Sequence, residues 1–119
     1  MIRGIRGAIT AKKNTRQEIL GQTERLLKTM ASLNQVQPAD IAAIILTTTP
    51  DLNAEFPAAA AQRLGWEDVP RLCAVEIKVP KSLKKCIRVM LLVNTGKSQK
   101  QIKHVYLEAA VMLKSGDRS

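Results

Sequence analysis

Four polar side chains stand inside apolar, strand-like stretches: Arg6 between Ile5 and Gly7, Glu76 between Val75 and Ile77, Arg88 between Ile87 and Val89, and Tyr106 between Val105 and Leu107. Strand residues alternate faces, so any one of them taken alone reads as a solvent-facing position. Brought together from different strands they would make one polar patch of two guanidiniums, a carboxylate and a phenol. Guanidinium forks bind carboxylates in a bidentate way and keep their proton at working pH. They are good clamps and charge stabilisers and poor proton-transfer groups. A site rich in arginine and short of bases points to catalysis by positioning and electrostatics.

Other chemistries lack residues. His104 is the one histidine, set among Ile102, Val105 and Tyr106, and reads as a partly exposed structural residue, not as the base of a nucleophile pair. With two cysteines and no Cys-x-x-Cys, a zinc site would be short of ligands, so no metal is expected. Neither a phosphate-cradling glycine loop nor a dinucleotide fingerprint is present, so no cofactor is expected. Cys73 as a nucleophile would want a nearby base, and none is apparent; it reads as a polar wall contact and Cys86 as core. Cys73 and Cys86 could pair in principle, yet nothing else suggests a secreted disulfide scaffold. Gly4 and Gly7, within the first strand, read as close-packing positions.

Nineteen Lys and Arg against ten Asp and Glu leave a net charge of +9, which attracts anions: nucleic acid, acidic lipid or a small polyanionic substrate. The basic residues are spread along the chain, and aromatic residues are 3%, too few for a base-stacking platform. A basic protein that reads nucleic-acid shape stays open as an alternative. No apolar run approaches the ~18 residues of a membrane span. Met1-Ile2-Arg3-Gly4-Ile5-Arg6 lacks the apolar centre and cleavage site of a signal peptide, so a cytoplasmic protein is expected.

The elements that must position these residues follow from pattern. At 119 residues, 1–119 is expected to be a single domain. Residues 1–10 read as a strand. Thr15-Arg16-Gln17-Glu18 reads as a capping box. Ile19, Thr23, Leu26, Leu27, Met30 and Leu33 then recur at the spacing of an amphipathic helix of about five turns, ended between Asn34 and Pro38. The β-branched run Ile41 to Thr48 predicts a buried strand. Pro57 opens a short helix continued by Ala58 to Leu64 and stopped at Gly65. Val69 to Val79, Ile87 to Asn94 and Val105 to Leu113 read as three further strands. The order strand, helix, strand, helix and three strands predicts an α+β (mixed α/β) domain with a single five-stranded sheet flanked by two main helices. The second helix is alanine-rich, so either it lies close against the sheet or a partner subunit helps to cover it.

At these residues the chain resembles the AroH-class chorismate mutases, the small monofunctional type typified by bacilli. The resemblance runs from residue 1 to about residue 114. It rests on Ile2-Arg3-Gly4-Ile5-Arg6-Gly7-Ala8, Thr49-Pro50-Asp51-Leu52-Asn53-Ala54-Glu55-Phe56-Pro57-Ala58, Gly65-Trp66 with Val69-Pro70, Cys73-Ala74-Val75-Glu76, Leu83-Lys84-Lys85-Cys86-Ile87-Arg88-Val89, and His104-Val105-Tyr106-Leu107-Glu108. It implies a mixed sheet that assembles as a homotrimer with a barrel-like centre and active sites at subunit interfaces. It also implies the Claisen rearrangement of chorismate to prephenate, the branch step toward phenylalanine and tyrosine, without cofactor or metal. By the same resemblance Arg88 contacts the breaking ether oxygen and a substrate carboxylate, and Glu76 with Cys73 holds the ring hydroxyl. Arg6 and Tyr106 bind carboxylates. Phe56, Ala58 and Leu72 are wall residues, with Phe56 and Ala58 supplied by the neighbouring subunit, and Leu113 is a lid contact.

The chain departs from that family's pattern in the outer cations: Ala59 and Gln62 stand where lysine and arginine are usual, and Lys114 where arginine is usual. Arg63 can substitute for the loss at Gln62 if the helix rotates or frays, since one residue is about 100° on a helix. The chain also ends soon after Leu113, where some relatives carry a longer tail. The expectation is weaker substrate capture with the chemistry retained. Beside the enzyme reading stand a non-catalytic trimer that binds carboxylates on the same fold, and the basic nucleic-acid binder.

Overall fold

The computed structural model describes residues 1–115; the tail of residues 116–119 lies outside the described residues. The chain runs β1 (Ile2–Thr10), α1 (Arg16–Leu33), β2 (Ile41–Thr48), α2 (Ala59–Arg63), β3 (Arg71–Val75), β4 (Cys86–Asn94) and β5 (Val105–Tyr106), with short 3-10 turns at Pro38–Asp40, Gln99–Gln101 and Glu108–Ser115. The five strands form one mixed sheet in the order β3-β2-β4-β1-β5. β4 pairs antiparallel with both β1 and β2, while β1–β5 and β2–β3 are parallel. The α+β architecture with a five-stranded mixed sheet is the one the pattern predicts.

α1 begins where Thr15, the N-cap, accepts the Glu18 N–H on its hydroxyl at 3.2 Å. Only that half of the expected capping box forms. The Glu18 carboxylate accepts instead from the Lys12 N–H at 3.1 Å, three residues further upstream, which ties the helix start to the end of β1. Ile19, Leu20, Leu26, Leu27 and Met30 then bury one helical stripe against the Ile5, Ile9, Ile87, Val89 and Leu91 face of the sheet. At Gly7 on that face, an added β-carbon would clash with Met30 Sδ and stand 3.1 Å from Leu26 Cδ1. The close-packing role expected of Gly7 is therefore physical: α1 crosses β1 too near for a side chain.

The end of α1 is bonded to the far edge of the sheet. Asn34 is buried; its amide donates to Met30 O and to Lys103 O, both at 2.8 Å, and its Oδ1 accepts from the Lys103 N–H at 2.8 Å. This holds the residues leading into β5 in place. α2 is short, and its Ala60 and Ala61 are fully buried in the chain's own core, so the alanines serve close approach. Gly65, with φ +81°, stops it in the left-handed conformation that glycine tolerates.

Two expected strands are shorter than their apolar runs. Val69 to Val79 forms a strand only over Arg71–Val75. Before it, the Arg71 guanidinium bonds Val69 O at 3.1 Å and Trp66 O at 3.3 Å, and Pro70 has no N–H to give a ladder; after it, Val79 starts a tight turn. Val105 to Leu113 forms a strand only over Val105–Tyr106. Glu108 at φ +53° breaks the extended backbone, and the chain turns into the 3-10 segment that packs Ala110 and Leu113 on Ala8 and Cys86.

Helices cover one face of the sheet. The other keeps exposed apolar residues: Ile45 on β2 and Leu72 on β3, continued past β3 by Ile77 and Val79. No helix among the described residues is long and apolar enough to cross a membrane.

Candidate active site

The open face of the sheet carries the site. Ala8 of β1 is the register partner of both Arg88 on β4 and Tyr106 on β5, so these two side chains flank a methyl-sized residue in one row across three strands. The small Ala8 is covered by Ala110 and Leu113 of the 3-10 segment. On the other side of Arg88 the partner is Thr47 of β2. Two residues before Ala8, and so on the same face, Arg6 pairs with Met90. The alternation that hides Ile87 and Val89 in the core therefore drives Arg6, Arg88 and Tyr106 to the opposite side.

Glu76 lies just past β3. Its N–H still donates to Thr48 O at 2.9 Å, which continues the β2–β3 pairing by one residue and aims the carboxylate along the open face. Thr47 Oγ1 donates to Glu76 Oε2 at 2.6 Å, and the same oxygen lies 3.2 Å from Arg88 Nε. Both side chains of this ion pair are largely covered, with 23% of Arg88 and 14% of Glu76 exposed. The contact is electrostatic and not a well-aligned hydrogen bond, because the buried Arg88 Nε has no hydrogen-bond partner. Among the described residues no other carboxylate pairs with Arg88.

Arg6, Glu76, Arg88, Tyr106 and Leu113 line one cleft of about 700 Å³, together with Thr47, Lys81 and Met112. The four polar residues singled out in the sequence thus converge within one chain. The remaining candidates do not join them. Cys73 and Phe56 line a second cleft of about 350 Å³ with Leu52 and Pro57. The register explains the separation: Cys73 pairs with Leu46, which is fully buried in the core, whereas the neighbouring pair Thr47–Ala74 belongs to the open face. Ala58 and Cys73 pack against the main core, Leu72 stands exposed on the open face, and Lys114 is exposed beside Leu113. Arg63 points to α1, where its Nε meets Glu24 Oε1 at 3.1 Å, and lines neither cleft.

Neither thiol is poised for chemistry. Both cysteines are free; burial pushes Cys73 above its ordinary value against the opposing effects of the Ala58 backbone and Arg71, and pushes Cys86 up to about 11 against Arg88. His104 has a structural task. Its Nδ1 accepts the Arg6 N–H at 2.9 Å, and burial, with the Arg6 charge second, lowers its pKa. The histidine therefore stays neutral and fixes the backbone from which Arg6 reaches into the cleft.

Thr47 and Lys81 are among the cleft residues that escaped the sequence reading. Thr47 sits in a β-branched run taken as uniformly buried; its period-2 relation to the exposed Ile45 is the signal that sets it on the open face. Lys81 follows Pro80 just beyond the expected strand Val69 to Val79, where the Pro-initiated turn is the available signal.

Two arginines, a phenol and a carboxylate thus share one cleft on the open sheet face of an α+β domain, a set of groups suited to an anionic ligand. The comparisons agree with that reading and narrow it. Residues 2–116 match the family described as chorismate mutase type I. The chain is 50% identical over 115 residues to the chorismate mutase AroH of Bacillus subtilis (strain 168), covering 96% of this chain and 91% of that one. It is 46% identical over 115 residues to the chorismate mutase AroH of Thermus thermophilus, covering 96% and 94%. A solved chorismate mutase from Clostridium thermocellum superposes with a TM-score of 0.91 at 53% identity, covering 92% of this chain and 98% of that one. The chain belongs to the type I chorismate mutase family.

Proposed function

We propose that this protein, acting as one domain over residues 1–119, is a chorismate mutase that converts chorismate to prephenate for phenylalanine and tyrosine biosynthesis in the cytoplasm. The observation that carries the reading is Arg88, held beside Glu76 in a cleft with Arg6 and Tyr106. In the rearrangement the carbon–oxygen bond breaks ahead of carbon–carbon bond formation, so negative charge builds on the ether oxygen. A guanidinium fixed at that oxygen stabilises the transition state more than the ground state. Arg6 and Tyr106 hold carboxylates, Glu76 takes the ring hydroxyl, and Leu113 closes over the ring. The electrons move within the substrate, so no acid, base, nucleophile or cofactor is required.

The working enzyme is a homotrimer in this reading. Leu72 is 67% exposed and Ile77 87% exposed on the uncovered side of the sheet, an arrangement that favours burial against further copies. The cleft holding Phe56 and Cys73 then meets the Arg88 cleft of the next subunit, with Ala58, Leu72, Arg63 and Lys114 around the seam. Cys73 thereby joins a Glu76 from which its own fold separates it. The test is conversion of chorismate by the purified protein with no added metal or cofactor, followed as loss of chorismate absorbance. Turnover abolished or nearly so in Arg88→Ala is expected; absence of turnover in the wild type sinks the proposal.

A further inference from the structure

Past β3 the chain reverses in a turn formed by residues 79–82, where the Ser82 N–H donates to Val79 O at 3.1 Å. Pro80, at the second position, has its φ fixed near −65° by its ring. Lys81, at the third, has φ +65°. A negative φ followed by a positive one makes this a type II turn, and its third position favours glycine or asparagine because a β-carbon crowds the backbone there. Lysine is a costly residue at that point. No contact within the chain offsets the cost, since the Lys81 ammonium makes no hydrogen bond or ion pair among the described residues. The turn nevertheless places Lys81 on the wall of the Arg88 cleft.

The charges in that cleft give the lysine a purpose. Its ionised lining residues are Arg6, Arg88, Lys81 and Glu76. Two guanidiniums against one carboxylate leave a single excess positive charge, and Lys81 raises the excess to two. Chorismate and prephenate are dicarboxylates with two negative charges, which the lining of one subunit's cleft matches when Lys81 is counted. Arg88 and Glu76 are packed at the cleft floor, whereas Lys81 is exposed on a turn with a long, flexible stem, the position from which a cation reaches a carboxylate left at the mouth.

We propose that Lys81 is a substrate-binding residue that neutralises the mouth-facing carboxylate and compensates for the outer cations missing at Ala59 and Gln62. The inference rests on the chorismate reading above. Lys81→Gly suits the test because glycine is the residue this turn favours, so the fold is kept and Tm should be unchanged or higher. We expect a roughly tenfold rise in KM with most of the loss in KM and little in kcat, and a matching weakening of prephenate binding by calorimetry. The KM of the wild type should climb more steeply with salt than that of the variant. Lys81→Arg should restore KM to within about twofold. Lys84→Ala, which removes the same charge from a residue outside the cleft lining, is the control for net charge. Lys81→Gly with a KM and prephenate affinity within about twofold of wild type overturns the proposal, as does an equal effect from Lys84→Ala. Wild-type protein that neither converts chorismate nor binds prephenate overturns instead the reading beneath it.

Discussion

Thr47→Val removes one hydroxyl from the cleft and keeps the β-branched shape that suits the strand. That hydroxyl donates to Glu76 Oε2 at 2.6 Å, a length typical of a hydroxyl bonded to a carboxylate. Hydrogen bonds to charged groups contribute about 1.5–3 kcal/mol. Glu76 keeps 14% of its side chain exposed, so water replaces part of the loss and the lower figure, about 1.5 kcal/mol, applies. The bond orients a carboxylate that pairs with Arg88, so the loss should fall on the transition state: kcat/KM should drop about tenfold, one decade per ~1.4 kcal/mol. The cost to folding should be at most about 1.5 kcal/mol, offset in part because valine is the better strand former. Steady-state kinetics of Thr47→Val, Glu76→Gln and the double variant separate the possibilities. If Thr47 acts through Glu76, the double variant should be no worse than Glu76→Gln alone, within about twofold. Effects that multiply independently, or wild-type kcat/KM in Thr47→Val with a lowered Tm, would refute the reasoning.

Two further perturbations probe the scaffold. Gly7→Ala drives a methyl group onto Met30 Sδ and Leu26 Cδ1, and overpacking of this kind costs about 1–3 kcal/mol; urea unfolding should show it, and Gly21→Ala, where nothing lies within 4 Å, should not. His104 tests pH dependence. Its folded-state pKa lies below the ordinary value of about 6.5, so over that window the unfolded chain binds more protons and stability rises with pH. Its contribution is complete above that range and is lost as pH falls through it, when protonation of Nδ1 breaks the bond from Arg6 N–H. His104→Gln retains an acceptor that does not titrate and should flatten the stability profile between about pH 7 and 5. Identical slopes for the two proteins would count against this role.

Local pattern made much of the fold readable, and its failures have local causes. β2 and β4 follow from largely apolar runs rich in β-branched residues, and α1 from its apolar stripe and Thr15. The last strand was overextended because Val105 to Leu113 is apolar enough for either state; the strand ends at the positive φ of Glu108, beyond which Ala110 and Leu113 pack on Ala8. The polar set Arg6, Arg88 and Tyr106 was legible because strand parity is a property of sequence. Glu76 was legible as a polar interruption, yet its partner Thr47 required the β2–β3 register. Cys73 was grouped with Glu76 by resemblance, whereas a spacing of three in an extended chain already favours opposite faces. Lys81 was hidden for a different reason: a positive φ at a lysine is a tertiary outcome that residue type argues against.

The central claim is that Arg88 acts as a rigid, forked cation at the oxygen where charge develops, and Arg88→Lys tests it most directly, since it keeps the charge and removes the planar fork. Chorismate turnover by this variant should show kcat lowered by about 10²–10³-fold, the scale of losing one preorganised donor to a developing oxyanion. KM should change far less, and Tm should stay near that of the wild type because the charge beside Glu76 remains. A kcat within about threefold of wild type would contradict the account, since charge alone would then suffice and the geometry of Arg88 would have no part in the reaction.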